Sequence, residues 1–102
     1  MKYKNVAPGE PYIQKMLKNK SISILVDEEK TKTEIARIIR TARERAGLTQ
    51  REFARLAGTT QAVVARLELG TDQRMPSLML ICRLLKAANA RLEVRCVFDK
   101  VA

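Results

Sequence analysis

The sequence contains no histidine and no tryptophan, and only two cysteines, Cys82 and Cys96. Without histidine there is no Ser/His/Asp or Cys/His constellation, and the usual general base is missing. Two cysteines alone cannot complete a common zinc ligand set within one chain. A disulfide is not expected in a reducing compartment, so both thiols are expected to serve as small core residues. The four glycines (Gly9, Gly47, Gly58 and Gly70) are isolated, so no phosphate-cradling loop is present. Aromatic residues make up 4% of the chain, namely Tyr3, Tyr12, Phe53 and Phe98, too few for a platform that stacks single-stranded bases. No apolar run approaches the ~20 residues of a membrane span. The N-terminus has no signal-peptide pattern, so a cytoplasmic location is expected. These absences imply a protein that is not an enzyme and needs no cofactor or metal.

What is abundant is positive charge. Lys and Arg number 20 against 11 Asp and Glu, a formal charge of +9 on 102 residues. An excess of this size favours a polyanionic partner, because basic side chains release the counterions condensed on nucleic acid. Apolar residues make up 46%, enough for one small folded domain with an extension. A core this small gains from apolar burial in a dimer.

Residues 1–30 differ from the rest. Pro8, Gly9 and Pro11 stand at the head of a short helix expected from about Pro11 to Lys18, and Ser-Ile-Ser-Ile-Leu-Val at 21–26 alternates as a short strand does. This segment is either an arm that orders on a partner or a tail packed on its own domain. From Thr31 the pattern becomes helical. Thr31 and Glu34 form a capping-box pattern before Ile35, Ile38, Ile39 and Ala42, and the first helix should stop near Gly47. Thr49 and Glu52 repeat the box and open a second helix, Gln50 to Ala57. Thr60 caps a third, Gln61 to Leu69, which Gly70 ends. A fourth helix follows Ser77, with Leu78, Ile81, Leu84, Leu85 and Ala88 on one face. After Asn89, Leu92, Val94, Cys96 and Phe98 alternate with Glu93, Arg95 and Val97, the pattern of a half-buried strand. Such a strand needs hydrogen-bond partners. Segment 21–26 is one candidate; the same strand of a second copy across a two-fold axis is the preferred one.

The informative stretch is Gln50 to Leu69. Two short helices joined by a tight turn must cross closely, which calls for a small residue at Ala54 and a left-handed conformation at Gly58. Phe53, Ala57, Val64 and Leu67 point between the helices, leaving the rest of the third helix to face outward.

Gly47-Leu48-Thr49-Gln50, Phe53-Ala54, Gly58-Thr59-Thr60-Gln61 and Leu67-Glu68 resemble the XRE/Cro family of helix-turn-helix repressors over about residues 33–90. The resemblance implies an all-α, lambda-repressor-like domain of four to five helices, with the C-terminal strand pairing across a dimer two-fold. It also implies that the third helix enters the major groove of double-stranded operator DNA while the second lies across the backbone. Gln61 then matches a base-reading position, and glutamine can pair bidentately with adenine. Thr59 departs from the family's commoner apolar residue and joins Thr60 at the DNA-facing turn. Thr60 caps the helix and touches a phosphate. Ala62 and Ala65 either contact a thymine methyl or permit close approach, and Arg66 reaches guanine or phosphate. Gln50 matches a phosphate clamp, Arg51 and Arg74 are further phosphate contacts, and Arg43 with Glu68 matches a structural ion pair. Leu69, where a polar residue is usual, marks an exposed contact with another subunit or with a partner.

Met75-Pro76-Ser77-Leu78 and Ala90-Arg91-Leu92-Glu93-Val94, with the preceding arm, are similar to HigA-type (HipB-like) antitoxins of type II toxin–antitoxin systems. That resemblance implies three parts: a toxin-binding arm at 1–30, a DNA-binding domain at 31–90 and a dimerising strand at 91–102. The protein would repress its own operon as a homodimer and neutralise an mRNA-cleaving toxin partner of the HigB/RelE type. The alternative is a stand-alone XRE-family repressor. Such toxins are usually basic, and within an arm holding six Lys only Asp27-Glu28-Glu29 offers a clear acidic contact.

Overall fold

The computed structural model describes residues 10–70 and 74–100. Four helices occur among them: α1 (Glu10–Arg45), α2 (Gln50–Ala57), α3 (Gln61–Leu69) and α4 (Leu78–Ala87). The chain divides into two compact units between Thr33 and Glu34.

In the first unit, α1 runs without a break through the segment whose pattern suggested a short helix and then a strand at 21–26. The hydroxyls that commonly break or cap a helix are absorbed by it instead. Ser21 donates to the Leu17 carbonyl at 3.0 Å, Thr31 to that of Asp27 at 2.8 Å, and Thr33 to that of Glu29 at 3.0 Å. Thr31 therefore lies inside α1 and does not begin a helix.

The second unit holds the core. Ile39 from α1, Phe53, Ala54 and Ala57 from α2, Val64 and Leu67 from α3, and Leu84 with Ala88 at the end of α4 form one buried cluster. Each short helix is closed by its own local chemistry. Thr49 Oγ1 accepts from the Glu52 N–H at 3.0 Å, and the Glu52 carboxylate accepts from the Thr49 N–H at 2.9 Å. Gly58 (φ 73°) ends α2 in the left-handed region, which a side chain resists, and lets the Thr59 N–H reach the Ala54 carbonyl at 2.9 Å. Thr60 and Ser77 cap α3 and α4 through the N–H groups of Val63 and Leu80. At Gly70 (φ 69°), a Cβ would also meet the Ala36 Cβ at 3.3 Å, so α3 stops where the chain passes close to α1.

The capping box gives the fold an acid sensitivity. Hydrogen bonds from the Thr49 backbone, then from its side chain, hold the Glu52 carboxyl below the ordinary glutamate range. A carboxyl with a lowered folded pKa adds stability that is complete above its unfolded pKa and lost as pH falls through the folded value. Glu52→Gln should therefore lower the melting temperature modestly at neutral pH and flatten its fall below pH ~4.5, so that wild type and variant converge in acid. An unchanged acid limb would mean that the box carries no charge-dependent stability.

Three expectations are corrected. The described residues contain no strand, and 91–100 run without regular structure. Leu92 is half-buried, but Val94 and Phe98 are 80% and 89% exposed. Alternation alone makes no ladder, and with 21–26 helical this segment has no strand to pair with among the described residues. The cysteines are exposed and free. The helical period that turns Ile81, Leu84 and Leu85 inward turns Cys82 outward, and Cys96 lies on the unpaired tail. Leu78, assigned to the inward face of α4, is exposed in its first turn.

Candidate nucleic-acid interface

The turn between α2 and α3 fixes which face of α3 is available. Val64, Leu67 and Glu68 are buried. Gln61, Ala62 and Arg66 are exposed and Ala65 is half-buried, at spacings of one and four that place all four on the opposite side of the helix. Thr60 is exposed at the head of α3 and Thr59 is half-buried in the turn. The outward face thus begins with an amide, carries two methyl-sized residues in the middle and ends in a guanidinium. That is a shallow, polar surface able to approach another molecule closely.

Glu68 anchors the inner face. It is 5% exposed, the only charged side chain buried among the described residues. Arg43 Nε lies 2.6 Å from Glu68 Oε2 and Nη2 lies 2.9 Å from Oε1, a two-pronged pair, while Nη1 donates to the Leu48 carbonyl at 2.9 Å. The bond to Glu68 raises the Arg43 guanidinium above its ordinary value, against desolvation. Gln50 Nε2 adds a third donor to Glu68 Oε1 at 3.1 Å. The carboxylate therefore ties α3 to α1 and to the start of α2, and Arg43 ties the pair to the α1–α2 loop.

This changes the account of Gln50. Its amide nitrogen is engaged with a residue 18 positions away, an inward link that the sequence pattern did not disclose. Arg51 is exposed beside it in the first turn of α2, and Arg74 is exposed between α3 and α4. Arg55, on the outer side of α2, is a further exposed cation that sequence reasoning passed over; its place one turn after Arg51 was the available signal. The Leu48 carbonyl, which receives Arg43, could not have been found from residue type.

A two-helix hairpin with a glycine bend, a buried inner stripe and a polar second helix standing clear of the core defines a helix-turn-helix, the fold of a sequence-specific DNA-binding regulator. The family model described as helix-turn-helix matches residues 39–94, just over half of the chain and all of α2, α3 and α4. The chain belongs to that family, in its XRE class. No curated protein and no solved structure gave a match. No helix among the described residues is long and apolar enough to cross a membrane.

Proposed function

We propose that the protein is a transcriptional repressor that binds an operator as a homodimer, without catalysis, and reads the major groove with α3. The observation behind this is the outward face of α3, whose exposed Gln61, Ala62 and Arg66 stand opposite residues locked inward by Glu68. Gln61 reads an adenine edge, with Ala62 and Ala65 small enough to let the helix approach or to meet a thymine methyl. Thr59 and Thr60 meet the backbone at the turn. Arg66 reaches guanine or phosphate. Arg51 and Arg74 hold phosphates, helped by the positive end of α2, where the first-turn N–H groups lack intrahelical acceptors. Two copies related by a two-fold axis bind half-sites about 34–36 Å apart, or a multiple of that.

Gln61→Ala should weaken binding to the preferred operator by about 1–3 kcal/mol and relax preference at one base pair per half-site, measured by gel shift on a panel of single-base variants. An equal loss on every sequence would make Gln61 a backbone contact. A footprint covering one unpaired half-site would remove the dimer.

The same DNA chemistry serves an antitoxin that represses its own operon and captures a RelE-type toxin. The segments at 75–78 and 90–94 that resemble HigA-type antitoxins favour this extension. Co-purification with the product of the neighbouring gene, then gel shift on the upstream DNA, separates it from a stand-alone repressor.

A further inference from the structure

Residues 10–33 form two dozen residues of helix with almost nothing buried. From 11 to 31 every side chain is exposed except that of Ile13, which is half-buried. Tyr12, Met16, Leu17, Ile22, Ile24, Leu25 and Val26 are all large, apolar and open to solvent. The middle of the segment, Ser21-Ile22-Ser23-Ile24-Leu25-Val26, is rich in weak helix formers. Helix stability in such a sequence comes from packing one face rather than from propensity.

The face to be packed can be named. Ile13, Leu17, Ser21 and Ile24 recur at spacings of four and three, with Leu25 beside them, and form one stripe that Glu28, four residues on, closes at its C-terminal end. At about 100° per residue, Lys18 and Glu29 fall on one flank of this stripe, and Lys20 and Asp27 on the other. Each flank therefore holds a cation in its first half and an anion in its second. When two helices pack antiparallel, like flanks face each other with their ends reversed. Lys18 then meets the second copy's Glu29, and Lys20 meets the second copy's Asp27. Parallel packing would set lysine against lysine and carboxylate against carboxylate. A basic protein gains less here, because Lys15, Lys18 and Lys20 share the segment with its carboxylates.

We infer that residues 10–33 are a self-association element. It pairs antiparallel with the same segment of a second copy, centred near residues 22–24, through the 13/17/21/24 stripe and two reciprocal charge pairs on its flanks. Glu29 already touches Lys32 of its own chain at 3.4 Å, a long contact three residues apart in which Glu29 itself stays open to solvent and competes only weakly. Ser21 at the centre lets the two backbones approach. The antiparallel pair has a two-fold axis, the symmetry that a palindromic operator requires. This deepens the dimeric reading above by naming its interface.

The test is sedimentation equilibrium on the full chain. The wild type should be a dimer. Lys18→Glu with Lys20→Glu, and separately Asp27→Lys with Glu29→Lys, should each weaken self-association about 100-fold, since four attractive contacts per pair become repulsive. Combining all four substitutions in one chain should restore the dimer, and with it the helical circular dichroism that the two single-sign variants lose as residues 10–33 come unpacked. The restored variant guards against misfolding as the cause of loss. A dimer indifferent to every charge change would overturn this interface while leaving a two-fold repressor intact. A wild type that stays monomeric until a foreign basic protein is added would overturn both.

Discussion

Glu68→Leu is expected to lower the unfolding free energy by about 3 kcal/mol, because it leaves a mostly buried guanidinium without its carboxylate. The side chain of Arg43 is 16% exposed and that of Glu68 is 4% exposed, so neither is a surface charge that water can re-solvate at little expense. After the substitution Arg43 keeps only the Leu48 carbonyl, and Gln50 Nε2 loses its acceptor as well. Domains of this size hold about 5–15 kcal/mol in total, so the loss is a large share of what is available. Replacing both partners, Arg43→Leu with Glu68→Leu, should recover most of the deficit, since an apolar pair removes the buried charge altogether. Urea unfolding of the wild type, both single variants and the double variant completes the cycle. If Glu68→Leu cost less than about 1 kcal/mol, the pair would be behaving as an exposed one and the anchoring of α3 would have to lie elsewhere.

The limits of α2 and α3 were legible because everything that sets them is local. Thr49 and Glu52 stand three apart, Gly58 follows Ala57 where only a left-handed turn closes the helix, and Thr60 and Gly70 bracket the next nine residues. The buried residues Phe53, Ala57, Val64 and Leu67 followed from the same period. The two ends of the chain were not legible, for opposite reasons. Around 21–26, β-branched residues alternating with serine carry a strand's period over six positions, yet the residues on both sides are helical and the serine and threonine hydroxyls turn back onto the helix. At 92–98 the alternation is equally clear, but a strand is a property of two segments, and the described residues hold no second one. Gln50 illustrates a third limit. Its position at a helix start says phosphate, while its actual neighbour is fixed by how α3 crosses α2, which no spacing of 18 residues reveals.

Raising salt from 50 to 200 mM should cost the operator complex about 10³ in affinity, the largest single effect expected of this protein. On the proposed interface Arg51, Arg66 and Arg74 of each copy neutralise phosphates, about six cations for two copies, and each released counterion contributes about 0.9 to the slope of log K against log salt. The slope should therefore lie near −5. Thr60 touches the backbone without charge and leaves it unchanged. Arg74→Ala, present in both copies, should flatten the slope by about two units and weaken all sequences alike. Gln61→Ala should leave the slope where it was and change only which bases are preferred. The two variants thus separate the cations that hold the duplex from the amide that reads it. A wild-type slope near zero would mean that the arginines do not reach phosphate, whatever the preference at Gln61.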